Sequence, residues 1–516
     1  MDRCGWPLVV WILLAVSPRS ALAEPGSFVE EDVTVLQVLA GEGENDQFGW
    51  AVSELADING DDAMEIIVGA PQYNADGAGA GRTYVYSGGD GALLYTFTGA
   101  PGDLHGYAMS DAGDVDGDGF HDILAGAPGG GGRVFVYSGA SGETIHTLSS
   151  EGMLGFFGGS VASAGDVDDD GLADILVGAP IYPSMGDDGG RVYLFSGASG
   201  LPIRHWDAEK GGDKFGSAVA YLGDVNDDGV PDSLVGARDA GEGGGGEVYV
   251  YSGADGELLA PVIQADDTGV DLAWFFVAGL GDLDGDEIPE IYAGDFANNA
   301  LGPATGRAYV FSGASREPMF VFTCGGPGEG LGPGRRGGDQ NGDGVPDVVA
   351  CSYSSSIGAP GAGQLSIFSG ADGALLRTLT STSEGESLGF DAVSLGDVNF
   401  DGRDDFVVSG ASKSIAYVIA GHVADSGETE GSTGETEGET EGETEGESIG
   451  STTGTTDASS SETGAETTGT GSDTAGSGPS SSGGSSTVTS AGSATSDSGN
   501  ANDSGEGGCG CQQAEP

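Results

Sequence analysis

From Val33 onward the chain alternates between short apolar runs and turns rich in Gly and Asp. The stretch Phe157 to Gly197 shows the unit. It has an apolar run SVASAG, an acidic loop from Asp166 to Asp174, and a second run DILVGAP. A Gly-rich turn follows, then a third run RVYLFSG. Runs of this length, rich in Val, Ile, Leu and aromatics and bounded by turn residues, predict strands. A fourth run follows a tight turn: Leu201 to Trp206 in this unit, and Glu143 to Leu148 after Gly139-Ala-Ser-Gly142 in the preceding one.

The unit repeats in phase. Acidic loops begin at Asp57, Asp114, Asp166, Asp224, Asp282, Asp339 and Asp397, spaced as expected for four-stranded propeller blades with generous loops. Before most of them stands an aromatic-Gly or Gly-aromatic pair: Phe48-Gly49, Gly106-Tyr107, Phe157-Gly158, Phe215-Gly216 and Gly389-Phe390. After them comes Gly-Ala-Pro (Gly69, Gly126 and Gly178 begin it) or a relic such as Gly236-Ala-Arg238 and Gly410-Ala-Ser412. An aromatic-Ser-Gly ends six of the seven third runs, at Tyr86, Tyr137, Phe195, Tyr251, Phe311 and Phe368. The last unit stops after its third run, while a spare run, Val33 to Leu39, precedes the first. Strands balance only if the two ends meet. The expected fold is therefore all-β: a seven-bladed β-propeller of four-stranded antiparallel blades, closed by the N-terminal strand.

These signatures resemble the FG-GAP repeats of the integrin alpha-subunit β-propeller, of the kind also found in bacterial secreted proteins. The resemblance covers roughly residues 28–421.

The loops carry their own chemistry. Asp166, Asp168, Asp170 and Asp174 alternate, which puts carboxylates on one side of a tight loop, and Gly171 lets the backbone turn. Hard oxygen donors in that number suit Ca²⁺ better than Mg²⁺, which demands a stricter octahedron. The resemblance implies the same: calcium bound through positions 1, 3, 5 and 9 and a main-chain carbonyl, between the first two strands of each blade. Carried across the repeats, loop 57–65 offers Asp57, Asn59, Asp61 and Glu65, and loop 114–122 offers Asp114, Asp116, Asp118 and Asp122. Loop 166–174 is the one above, and loop 224–232 offers Asp224, Asn226, Asp228 and Asp232. Loop 282–290 offers Asp282, Asp284, Asp286 and Glu290. Loop 339–347 has Asp339, Asn341, Asp343 and Asp347; loop 397–405 has Asp397, Asn399, Asp401 and Asp405. Up to seven structural Ca²⁺ ions are expected. Asp62 and Glu287 replace the turn glycine, and Glu65 and Glu290 the final Asp, so the first and fifth sites are expected to be the weakest. An EF-hand is excluded, because position twelve is Val177 or Ala125 and strands flank the loop.

Composition narrows the function. Gly is abundant (101 residues) and the formal net charge is -66. A surface of that sign excludes nucleic acid as partner. Residues 1–23 have a short apolar core and end in Ala21-Leu-Ala23, the pattern of a secretory signal peptide, and no other stretch reads as a transmembrane span. Residues 422–516 form a tail of Ser, Thr, Gly and Glu without Lys or Arg, expected to be a disordered acidic spacer. Its Cys509-Gly-Cys511 resembles C-terminal sorting signals of some Gram-negative bacteria, which implies attachment to the bacterial outer surface. Cys324 and Cys351 fit either a disulfide or two buried thiols.

No catalytic set emerges. The histidines His105, His121, His146, His205 and His422 lack metal-ligand spacing, and His105 occupies the packing position of its blade's aromatic. Gly129 to Gly132 and Gly243 to Gly246 are not followed by Gly-Lys-Ser/Thr, so they are turns and not phosphate loops. Arg335 and Arg336, at the start of the sixth unit, are expected to neutralise neighbouring acidic loops, the alternative being an anionic ligand at the centre. The expected function is a secreted, calcium-stabilised binding or adhesion module for an extracellular protein or glycan ligand. The resemblance places that ligand on the face opposite the loops. The alternatives are a propeller enzyme acting on polysaccharide or lipid, and a structural surface protein.

Overall fold

The computed structural model describes residues 28–43, 45–74, 77–150, 155–185, 187–266 and 268–421, and the backbone of 512–514. The expected signal peptide, nearly all of the tail, Cys509 and Cys511 lie outside the described residues.

Seven antiparallel sheets follow one another along the chain, six of them sequential four-strand meanders. The third blade is representative: Ser160–Gly165, Asp174–Ala179, Arg191–Phe195 and Pro202–Asp207, in that order from inside to outside. Its second strand is buried at every position, because adjacent blades cover both faces. The outermost strand, with one side open to solvent, alternates exposed and half-buried residues. Blade four ends in an outer strand of only two residues, Ile263–Gln264.

The seventh sheet closes the ring. Val35–Ala40 pairs antiparallel with Ile415–Ile419 and supplies the blade's fourth strand, as the strand balance requires. Side chains seal the junction: Val393, Val407 and Val418 of blade seven share one core with Phe48, Val52 and Val68 of blade one. The chain end contributes a strand that the sequence did not suggest. Gln512–Ala514 pairs with Pro318–Thr323 at the outer edge of blade five, as a fifth strand.

The two sequence signatures have one steric cause. The Gly158 N–H donates to the Gly178 carbonyl at 3.1 Å, fastening the aromatic-Gly turn to the Gly-Ala strand of its own blade. The next blade's Gly216 then lies so close that a Cβ on Gly178 would sit 2.2 Å from its carbonyl oxygen. Phe157, fully buried, wedges edge-on against Tyr193 and Phe195. Glycine is required where blades touch, and the aromatic fills the wedge beside it.

Cys324 is in a disulfide, while Cys351 is a free, fully buried thiol. The two are therefore not bonded to each other. Among the described residues no helix is long and apolar enough to cross a membrane.

Candidate functional site

In each blade the acidic loop joins the first and second strands, so all seven loops emerge at one end of the ring. Position one organises the loop. Asp166 accepts the Asp170 N–H at 3.1 Å and the Gly171 N–H at 2.8 Å, and Asp114 accepts those of Gly117 and Gly119 at 2.7 and 3.0 Å. Asp170 accepts from Leu172 N–H at 3.0 Å. Asp168 is exposed, with only the Asp170 N–H of its own loop beside it.

Position nine has a second role that the sequence reading missed. Glu65, Asp122, Asp174, Asp232, Glu290, Asp347 and Asp405 are all fully buried. Asp174 accepts the Val167 N–H on one oxygen and the Gly197 N–H on the other, each at 2.9 Å. Asp122 does the same with Val115 and Gly139, and Asp405 with Val398 and Gly421. The acid thus pins its own loop to the Ser-Gly turn that follows the third strand. Burial pushes Asp174 up to about 6 and Glu65 and Glu290 up to about 7, against the backbone donors that hold them down. Glu65 Oε2 is buried without a hydrogen-bond partner.

A divalent cation fits this donor set. Carboxylate oxygens converge within 4.8 Å of one another in four loops: Asp57, Asp61, Glu65; Asp114, Asp116, Asp122; Asp166, Asp168, Asp174; and Asp282, Asp284, Glu290. The first and fifth loops are among them, despite their Glu at position nine. In the fourth, sixth and seventh loops the third residue is an amide, Asn226, Asn341 or Asn399, whose oxygen accepts the N–H of position five at 2.8 to 3.0 Å. Backbone strain is spread more widely than the turn glycine suggested. Position four is also left-handed, so Asp169, Asp227 and Phe400 take φ near +60°, as Asp62 and Glu287 do at position six. Only the second and sixth loops have Gly at both places.

The ring encloses a central cavity of about 910 Å³. Arg335 projects into it and donates to Asp391 Oδ1 at 2.7 Å. Its partner is thus an acid of the next blade's inner strand and not an acidic loop, as had been expected. Glu54 shares the cavity, its carboxyl pushed up by burial and drawn back by Arg335. His105 is fully buried between Thr83 Oγ1 at 3.1 Å and the Tyr137 hydroxyl at 2.9 Å, packing as expected. His121 is half exposed and pairs with Asp111 at 2.8 Å.

The opposite face carries a collar of rings. Phe390 meets Trp50 at 4.8 Å between centroids, Trp50 meets Tyr107 at 5.4 Å, and Tyr107 meets Phe156 at 5.1 Å. From Phe390 the chain of contacts runs the other way through Tyr353 and Phe296 to Trp274.

Ring and loops together define a seven-bladed propeller with an acidic, cation-sized cradle built into its repeat. The FG-GAP repeat family model matches residues 48–86, 110–137 and 157–195. Integrin alpha-8 of Gallus gallus is 34% identical over 212 residues, 37% of this chain and 20% of that protein. Integrin alpha-PS2 of Drosophila melanogaster is 33% identical over 217 residues, 38% of this chain and 15% of that protein. Integrin alpha-6 of Gallus gallus is 36% identical over 164 residues, 30% of this chain and 15% of that protein. The matched region is thus a fifth or less of each relative's length. The chain is an integrin alpha-like FG-GAP propeller.

Proposed function

We propose that this protein is an exported, calcium-stabilised propeller that acts as a binding or adhesion module for an extracellular protein or glycan. One observation carries the reading. All seven acidic loops occupy one end of the ring, which leaves the collared face free to meet a ligand. Likeness to integrin alpha chains supports the same division of labour. In this reading the 28 residues at positions one, three, five and nine hold up to seven Ca²⁺ ions, residues 1–23 direct export, and residues 422–516 act as an acidic spacer. Display through the C-terminal Cys tail predicts the protein in the cell-envelope fraction; recovery from the medium alone, with Cys509 unmodified, would dispose of it.

The test is a screen of the purified chain against glycan and extracellular-protein arrays, with calcium and with chelator. Saturable binding that disappears on chelation supports the reading. Turnover of a polysaccharide or lipid, or silence on both arrays, overturns it.

A further inference from the structure

Seven copies of one unit serve as controls for each other. A position that departs from its counterparts without structural need is a candidate for a separate task. Blade four has one, beside a gap in the collar. Blades one, two, five and seven place Trp50, Tyr107, Trp274 and Phe390 at the collar position, whereas blades three, four and six have Gly159, Ser217 and Pro333 there. Six residues after the ninth-position acid stand Pro71, Pro128, Pro180, Phe296, Tyr353 and Ala411; blade four alone has a charged residue there, Arg238.

The gap and the arginine meet in space. With no ring at Gly159 or Ser217 the collar is broken, and a recess of about 240 Å³ opens on the collared face, lined from blades two to five. Phe156, Ile181, Trp274 and Phe275 give it apolar walls, and Arg238 and Lys214 stand beside them. The Arg238 guanidinium lies 3.9 Å from the centre of the Trp274 ring. Its Nε is 3.8 Å from an Asp239 oxygen, too far for a hydrogen bond, and among the described residues this guanidinium donates none. Lys214, by contrast, is held by Asp188 at 2.7 Å. In a chain with 16 Lys and Arg and a net charge of -66, this arginine sets guanidinium donors beside the apolar walls of an open recess.

We propose that this recess binds a small organic acid with an apolar body, its carboxylate on Arg238 and its body against Trp274 and Phe275. A planar guanidinium stacked on indole is held with its fork ready for a carboxylate, and the pair gains strength beside apolar walls. A cationic ligand would be repelled by Arg238. A neutral apolar one would bury the guanidinium without a partner. A dense polyanion would be repelled by the acidic propeller in proportion to its charge, whereas a single carboxylate is repelled far less. The volume suits about ten to fifteen heavy atoms, at the small end of ligand pockets.

The experiment is calorimetric titration of the full chain, in calcium, with 3-phenylpropionate and with its uncharged amide. The acid should bind at least about tenfold more tightly than the amide. Arg238→Gln should bring the acid down to the level of the amide. Ser217→Phe, which restores a ring at the collar position, should abolish both. Melting temperatures of the two variants confirm that they are folded. Equal affinity for acid and amide, insensitivity to Arg238→Gln, or no saturable binding of the acid up to about 10 mM would overturn the proposal. The macromolecular ligand of the same face is assayed separately, so either reading can fail alone.

Discussion

At the residue scale, the ninth-position acid and the third-position acid look alike in sequence and differ in what holds them. Asp174 is buried and satisfies two distant backbone donors with its two oxygens, whereas Asp168 is exposed and meets only the Asp170 N–H of its own loop. Asp174→Asn keeps the shape but presents one acceptor, so one buried N–H loses its partner at a cost of about 2 kcal/mol. That loss should persist in chelator. Asp168→Asn should change stability in chelator by less than about 0.5 kcal/mol and weaken only calcium binding. Urea unfolding of both variants, with calcium and with chelator, separates clamp from ligand; equal behaviour in chelator would refute the distinction. His105 offers an independent test. Burial depresses its imidazole to about 4, while an unfolded His titrates near its ordinary value of 6.5. The unfolded chain therefore takes up the proton first. The native advantage is complete above about pH 6.5 and declines by roughly 3 kcal/mol as the pH falls towards 4. His105→Phe, which installs the ring that Phe48, Phe157 and Phe215 carry, should remove a one-proton slope from the stability profile measured in chelator across that window. An unchanged slope would mean that the imidazole is already charged in the fold.

At the element scale, stability rests on contacts between blades, and the closing strand is where the ring can be opened. Val35–Ala40 covers the edge of Ile415–Ile419, and the half-buried Leu36 packs against the core shared by blades seven and one. Removing residues 28–40 bares a buried strand edge beside Tyr417, Val418 and Ile419. The truncated chain should unfold at lower temperature and self-associate through that edge, read by thermal unfolding and size-exclusion chromatography. A monomer with an unchanged melting temperature would show that closure contributes nothing. Closure was legible in the sequence because strands can be counted: seven three-strand units leave one strand short and one spare. The strands and loop starts were equally legible, since a pattern repeated in phase corrects its own ambiguities. What escaped were partners fixed only in three dimensions. The bond from Asp174 to Gly197 spans 23 residues and needs the hairpin between second and third strands in place. Arg335 finds Asp391 on the next blade, 56 residues on. The left-handed position four was hidden because Asp169, Asp227 and Phe400 carry it without glycine. The recess at Ser217 is defined by a missing ring, which attracts notice only once the other rings are seen to form a collar.

At the scale of the whole molecule, the question is what holds so acidic a ring together. Each loop gathers carboxylates at one end of the propeller, and the 24 acids among the proposed ligands repel one another when no cation lies between them. Extracellular calcium modules bind with dissociation constants of roughly 0.1 to 1 mM. At about 1 mM calcium and the tighter limit, linkage adds about 1.4 kcal/mol for each occupied site. Seven such sites would add about 10 kcal/mol, comparable to the whole stability of an ordinary domain. For a propeller of this length that corresponds to a shift on the order of 10 °C in melting temperature. Chelation should therefore lower the melting temperature by about that amount, and calcium at about 1 mM should restore it. Magnesium at the same concentration should restore less, because it surrenders its waters reluctantly and tolerates irregular oxygen cradles poorly. High concentrations of a monovalent salt should recover only the part that comes from screened repulsion. Native mass measured along the calcium titration counts the ions while calorimetry follows stability. Strained residues occur in five of the seven loops, so occupancy should begin with the second and sixth, where glycine stands at both left-handed positions. Single Asp116→Asn and Asn341→Ala variants locate those first ions: each should remove one early binding event and leave the later ones unchanged. A melting temperature indifferent to chelator would mean that the clamps of the ninth-position acids suffice, and that the ring is held by its own backbone.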